Sequence, residues 1–373
     1  MKILHVALPF LLTFAGVQPL YAQATLKEAF KNQFLVGVAV NQSQFDGRNP
    51  VEEGIIKSQF NSITPENVMK WESINPKPGN YNFGPADQFV DFGLKNGMAV
   101  IGHNLIWHSQ TPDWVFEDAH GQPVDRETLL TRMHDHIAKV MGRYKGKVKG
   151  WDVVNEVMGE NGSLRESRWL KIIGPDYIAQ AFKFAHEADP QAELYYNDYG
   201  LEHEGKRLGA LKLVQDLKAA GVTITGVGIQ EHVNLTWPSI LDIDATIKTF
   251  GALGLKVMVT ELDVDILPAR PKSQAGNADI NHHEAAAPEL NPYTAGLPDE
   301  LQLKLAQRYS NLFKVYLQNQ PTVTRVTIWG VSDAGSWLNN FPIHGRTNYP
   351  LLFNRKDQAK PALQAIINVG AAK

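Results

Sequence analysis

Two glutamates sit where acid–base chemistry could be done. Glu156 ends the run Asp152-Val153-Val154-Asn155-Glu156, and Glu261 lies in Thr260-Glu261-Leu262-Asp263. A pair of carboxyls facing each other across a cleft can cleave a glycosidic bond, one protonating the leaving oxygen while the other attacks or activates water. At a separation of about 5–5.5 Å the geometry is that of a retaining, double-displacement reaction. With an effective dielectric near 20, two negative charges at that distance repel by roughly 3 kcal/mol. One carboxyl therefore stays protonated while its neighbour is ionised. Once the ionised group becomes an ester its charge is gone, the neighbour's pKa falls, and the acid can become a base.

Something must hold two residues a hundred positions apart at one cleft. After Thr25 the chain repeats a short apolar run, a polar loop and an amphipathic stretch. The apolar runs are 34–40, 61–64, 98–103, 148–154, 193–197, 224–230, 256–260 and 323–329. Most are rich in Val and Ile with little polar alternation, as strands buried on both faces are. Between them, Leu129, Met133, Ile137, Val140 and Tyr144 share one helical face, as do Leu301, Leu305, Tyr309, Leu312 and Tyr316; Leu208, Leu211, Val214 and Leu217 form a third stripe. Eight strands alternating with helices indicate a single-domain (β/α)8 TIM barrel. The competing doubly wound sheet lacks support, because no Gly-x-Gly-x-x-Gly turn follows the first strand.

In such barrels the chemistry sits at the C-terminal ends of the strands. Those ends carry Thr64-Pro65-Glu66-Asn67 with Lys70, then His103-Asn104 with Trp107 and His108, then Asn155-Glu156. Asn197-Asp198-Tyr199, Gln230-Glu231-His232, Glu261 with Asp263, and Trp329 with Trp337 beyond it complete the rim. Apolar strands that lead into Asn, Glu, His, Gln and Trp imply a polar cleft with aromatic walls. Sugars fit it, since hydroxyls need paired donors and acceptors and pyranose faces stack on indoles.

Composition excludes other classes. The 373 residues carry 36 basic and 39 acidic side chains, a net charge of −3, and no basic stretch tracks a phosphate backbone, so no nucleic-acid partner is expected. The absence of cysteine removes disulfides, thiolate catalysis and cysteine-ligated zinc. Lys2, an apolar run over 3–17 and Ala22-Gln23-Ala24 read as a secretory signal cleaved after residue 24, leaving the barrel over 25–373. The expected product is exported, secreted or periplasmic, monomeric and free of the membrane once the signal is removed. Residues 268–298, after the seventh strand, form an unusually long loop. His282, His283 and Glu284 lie in it, but adjacent histidines point different ways and no second ligand cluster is near, so no metal is expected.

The motifs at these strand ends, taken in order, resemble glycoside hydrolase family 10 xylanases over roughly residues 26–367. They are Thr-Pro-Glu-Asn-Val-Met-Lys-Trp (64–71), Gly-His-Asn-Leu-Ile-Trp-His-Ser-Gln-Thr-Pro (102–112), Trp-Asp-Val-Val-Asn-Glu (151–156), Tyr-Asn-Asp-Tyr (196–199), Gly-Ile-Gln-Glu-His (228–232), Thr-Glu-Leu-Asp-Val (260–264) and Trp-Gly-Val-Ser-Asp (329–333). The resemblance implies internal cutting of β-1,4-xylosidic bonds in xylan and xylo-oligosaccharides, with Glu156 as acid/base and Glu261 as nucleophile. It implies that Asn155 bonds the 2-hydroxyl of the sugar being cleaved and that His232, held by Asp263, orients Glu261. It puts His103, Trp107 and Gln230 at the cleavage subsite and Glu66, Asn67 and Lys70 on the next sugar toward the non-reducing end. Trp329 and Trp337 would roof the pocket, and Tyr199 would lie toward the reducing side. No cofactor is needed for this reaction. Gly200 departs from the family, where many members have Asn, and the 268–298 loop is longer than usual. Two rivals stay open at this level: a retaining barrel glycosidase for β-glucan or mannan, and a barrel that binds polysaccharide without cutting it.

Overall fold

The computed structural model describes residues 24–268 and 287–372. The proposed signal segment, the middle of the long loop and His282, His283 and Glu284 lie outside the described residues. All eight expected strands are present: β1 (Leu35–Val40), β2 (Ser62–Pro65), β3 (Ala99–Gly102), β4 (Gly150–Asn155), β5 (Glu193–Asp198), β6 (Gly226–Ile229), then, after a short β7 (His232–Asn234), β8 (Lys256–Asp265) and β9 (Val323–Ile328). Each pairs in parallel with the next around the ring, β6 with β8 and β9 back to β1, closing an eight-stranded barrel. The strands are buried along almost their whole length, which is why they read as apolar runs without alternation.

Helices cover the outside, and their starts are written locally. Asp125 accepts from the Thr128 N–H at 2.7 Å to begin Arg126–Arg143. Ser239 and Asp242 form a reciprocal capping box at the head of Ile240–Gly251. The stripe Leu129, Met133, Ile137 and Val140 is buried as its spacing predicts, and so are Leu305, Tyr309, Leu312 and Tyr316. The third stripe is corrected at one residue: Leu208 is 54% exposed, and Ala210, Val214 and Leu217 face the core of Glu204–Ala219 instead. Leu208 precedes that face by two residues, about 160° away around the helix at 3.6 residues per turn.

Two irregularities matter for the site. Between β4 and β5 the register slips at Asp152/Val154, and between β8 and β9 it slips between Val259 and Leu262. These bulges lie just before Glu156 and at Glu261. An extra residue in one strand re-aims the side chains beyond it. The sixth barrel strand is likewise broken at Gln230-Glu231, and β7 resumes against the extension of β8, with His232 opposite Asp263. That extra partner is why the seventh barrel strand runs to Asp265, beyond the expected end at Thr260.

Candidate active site

A cleft of ≈ 340 Å³ opens at the C-terminal end of the barrel. Of the residues expected from the strand ends, Glu66, Asn67, Lys70, His103, Trp107, Asn155, Glu156, Gln230, His232, Glu261, Trp329 and Trp337 all line it. Asp263 is fully buried behind the wall, where it holds His232. Tyr199 lines an adjoining cavity of ≈ 570 Å³, which shares His232 with the first and continues past His203 and Trp237.

Glu156 leaves β4 in the left-handed region, at φ 56, a conformation that costs a non-glycine residue energy and persists only where its surroundings impose it. Its backbone N–H is held by the Asn197 carbonyl at 2.9 Å. Its carboxyl, 4% exposed in the whole residue, accepts from Trp107 Nε1 at 2.9 Å, Gln230 Nε2 at 3.2 Å and Asn155 Nδ2 at 3.3 Å. Burial raises its pKa, the charges of Asp198 and Glu261 add to the rise, and His108 and Trp107 work against them.

Glu261 is almost as buried, yet its pKa is lowered. Burial opposes the anion, but the His232 hydrogen bond, the charges of His103 and His232, and the Asn197 amide outweigh it. His232 Nε2 stands 3.2 Å from Glu261 Oε2, and its Nδ1 stands 3.0 Å from Asp263 Oδ2. Burial would discharge this histidine, but Asp263 and Glu261 hold its pKa up to about 10, so it carries a proton on both nitrogens at neutral pH. Trp337 Nε1 donates to the same Asp263 oxygen at 2.7 Å. Two carboxyls on one cleft thus have pKa values driven in opposite directions, the signature of a divided acid and base.

Asparagines join the pair. Asn197 Nδ2 donates both to Asn155 Oδ1 and to Glu261 Oε1, each at 2.8 Å. An ionised Glu261 only accepts, so the amide must present its nitrogen, and Thr260 Oγ1 at 2.6 Å satisfies Oδ1 on the other side. Asn197 was quoted in the sequence motifs without a role; its place at the end of β5, facing the next strand ends, was the available signal. Gln110 and Phe341 also line the cleft and were not singled out. Gln110 accepts from Lys70 Nζ at 2.6 Å, and Phe341 stacks on Trp337 with ring centres 5.3 Å apart.

The far end of the cleft is polar and charged. Lys70 Nζ reaches Asn67 at 3.0 Å and lies 4.9 Å from the Trp107 ring centre. Burial pushes Glu66 up to about 7, with Lys70 working against that rise and Glu52 adding to it. His103 Nδ1 meets Asp152 Oδ2 at 2.9 Å, which turns its other nitrogen toward the cleft, and Trp329 packs edge-on to that ring. Tyr199 is buried, its hydroxyl donating to Glu160 at 2.7 Å and accepting from Arg165 at 2.8 Å. Among the described residues no group of three or more His, Asp or Glu side chains is arranged to hold a metal.

The chain matches the family model for glycosyl hydrolase family 10 over residues 25–369. It is 47% identical to endo-1,4-beta-xylanase A of Xylanibacter ruminicola, covering 93% of this chain and 94% of that protein. A family 10 endoxylanase from a sugarcane soil metagenome superposes with a TM-score of 0.89 at 43% identity, over 92% of this chain and 99% of that one. An intracellular xylanase of Thermoanaerobacterium saccharolyticum, solved as a mutant with xylotriose, superposes with a TM-score of 0.79 at 39% identity, over 91% and 97% of the two chains. The barrel, its paired glutamates and these matches agree: the chain belongs to glycosyl hydrolase family 10.

Proposed function

We propose that this chain is an endo-1,4-β-xylanase that works by retaining double displacement, with Glu261 as nucleophile and Glu156 as acid/base. The observation that carries the reading is that two carboxyls line one cleft with unlike partners, Glu156 accepting from Trp107, Gln230 and Asn155 and Glu261 standing against His232 and Asn197.

Glu261, kept ionised by His232 and Asn197, attacks the anomeric carbon. Glu156, whose pKa is raised by burial and by the charges of Asp198 and Glu261, gives its proton to the departing oxygen. The resulting ester abolishes the charge on Glu261. One of the causes that raise the Glu156 pKa then disappears, and Glu156 takes a proton from water that attacks the same carbon. Asn155 is fixed by Asn197 and beside Glu156, where its amide can meet the 2-hydroxyl and strengthen that contact as positive charge develops on the ring. Glu66, Asn67 and Lys70, with Trp107 beneath them, supply the polar grip and apolar face for the next sugar toward the non-reducing end. The adjoining cavity by Tyr199 would take the leaving portion.

The names of the relatives favour xylan over β-glucan or mannan, and the intact pair argues against a binding-only barrel. We further propose that residues 1–24 are removed on export, on the strength of their composition; a mature N-terminus at Thr25 in the native product would support that. The reaction is tested by proton NMR of fresh product from xylohexaose. The reading requires β-anomer at internal cleavage points and no hydrolysis by Glu261→Ala. An initial α-anomer, or full activity in that variant, would refute it.

A further inference from the structure

At the end of the barrel opposite the cleft, the strand starts surround a second hollow. A cavity of ≈ 370 Å³ opens there, and its lining includes Lys31, Lys149, Lys256, Arg325 and Glu193. Lys31 lies just before β1 and Lys149 immediately before β4; Glu193 and Lys256 open β5 and β8, and Arg325 is the third residue of β9. Nothing in the chemistry of the cleft calls for these groups.

Arg325 is the buried one among the four cations. It is 3% exposed, and its Nε is buried without an acceptor. Among the described residues its guanidinium has no hydrogen-bond or carboxylate partner, only the Tyr195 ring with its centre 5.4 Å away. The single carboxylate of the lining is already taken. Glu193 Oε1 pairs with Lys149 at 2.9 Å and with Lys256 at 3.0 Å, and its Oε2 accepts from the Tyr195 hydroxyl at 2.8 Å. Burial works against that anion, but these three contacts outweigh it and lower its pKa, so Glu193 stays ionised. An arginine cannot shed its proton, and a buried cation without a counter-charge is costly. Four cations against one anion leave three positive charges uncompensated around the hollow.

We propose that this hollow binds a phosphate dianion, free or as a small monoester, with Arg325 at its floor and Lys31, Lys149 and Lys256 at its rim. A guanidinium fork matches two oxygens of one phosphate, and the half-exposed lysines add point charges around it. A dianion leaves one positive charge uncompensated where a carboxylate would leave two. The bound anion joins the starts of β4, β8 and β9 with the segment before β1. It therefore stabilises the folded barrel by mass action and leaves the cleft at the other end untouched.

The test is titration calorimetry of the whole chain with sodium phosphate at about pH 8, where the dianion predominates, against sodium chloride of matched ionic strength. The wild type should show saturable binding of one phosphate per chain, and its Tm should climb with the logarithm of phosphate concentration. Arg325→Met keeps the apolar stem and removes the fork; affinity should fall by about tenfold or more. Should that variant fail to fold, Lys31→Gln combined with Lys256→Gln alters only rim side chains, leaves Glu193 paired with Lys149, and should weaken binding as well. Hydrolysis of an aryl β-xylobioside should be the same with and without saturating phosphate. Glucose 6-phosphate separates the two sources: affinity equal to or above that of inorganic phosphate assigns a monoester, lower affinity assigns the free ion, and either supports the site. Sodium glucuronate bound as tightly as phosphate would overturn the dianion assignment. No saturable heat beyond the chloride control, or equal affinity in wild type and variants, would overturn the site itself.

Discussion

Asp263→Asn isolates the charge that keeps the nucleophile ready. In the native arrangement Asp263 accepts from His232 at 3.0 Å and from Trp337 at 2.7 Å. With its oxygen at the position both partners share, an asparagine still accepts from Trp337 Nε1 and from His232 Nδ1. A ring that loses its charge then keeps the proton on Nδ1 and gives up the one on Nε2. One positive charge is lost, and with it the hydrogen bond from Nε2 to Glu261. Asp263 is the first of the groups that hold the His232 pKa up to about 10 against burial, so without it the ring is neutral at working pH. His232 provides the leading hydrogen bond and one of the two leading charges that lower the Glu261 pKa. A unit charge about 4 Å from another is worth on the order of 4 kcal/mol at an effective dielectric of 20. Even a third of that is close to a factor of ten in the ionised fraction on the acid side of the profile.

The acid limb of kcat/KM reports the free enzyme's base, here Glu261. The substitution should move that limb to higher pH and cost tenfold or more in the acid range. The loss should shrink as pH rises through neutrality. Histidine nitrogen NMR supplies the control, since the His232 ring must be seen to lose its charge. If the ring is neutral in the variant and the acid limb has not moved, His232 does not set the state of Glu261 and the argument fails. A uniform loss at every pH would point to disturbed geometry instead of lost charge.

Three further outcomes are expected. Gly102→Ala would place a Cβ 2.0 Å from the Trp151 ring, which crosses to the adjacent strand; it should cost at least about 1–3 kcal/mol in urea unfolding and also impair His103 next door. Trp237→Ala removes a ring stacked on His203 with centres 4.5 Å apart in the adjoining cavity; KM for xylohexaose should rise several-fold while an aryl xylobioside is unaffected, and equal effects on both would remove that cavity from substrate binding. Trp107→Phe deletes the donor to Glu156 Oε2, one of the contacts that lower the Glu156 pKa; the alkaline limb on xylan should move to higher pH, and a limb that moves down or stays would show that this contact does not tune the acid.

Which residues belong to the cleft was legible before any coordinates, because the rule used was topological. Polar residues at the C-terminal ends of apolar strands have nowhere else to gather in a closed barrel. It failed where periodicity was read without a partner: Leu208 continued a stripe on paper, but it is Ala210, Val214 and Leu217 that are buried. What could not be read was how each carboxyl acquires its state. That depends on partners far away in sequence: Asn197 lies 64 residues from Glu261, Gln230 lies 74 from Glu156, and neither spacing has a local signature.

The bulges explain why strand order was enough to find the pair but not to orient it. A regular strand alternates its side chains between the barrel interior and the helix layer, so a fixed spacing would dictate which way each glutamate faces. The register slips beside Glu156 and at Glu261 break that alternation at the two places where the chemistry needs it broken. The third irregularity, at Gln230-Glu231, serves the same end from between them: it sends Gln230 to one carboxyl, His232 to the other and Glu231 to the opposite side of the wall. Three local departures from strand geometry thus give two carboxyls on a symmetric ring of strand ends different partners, as the proposed acid and base require.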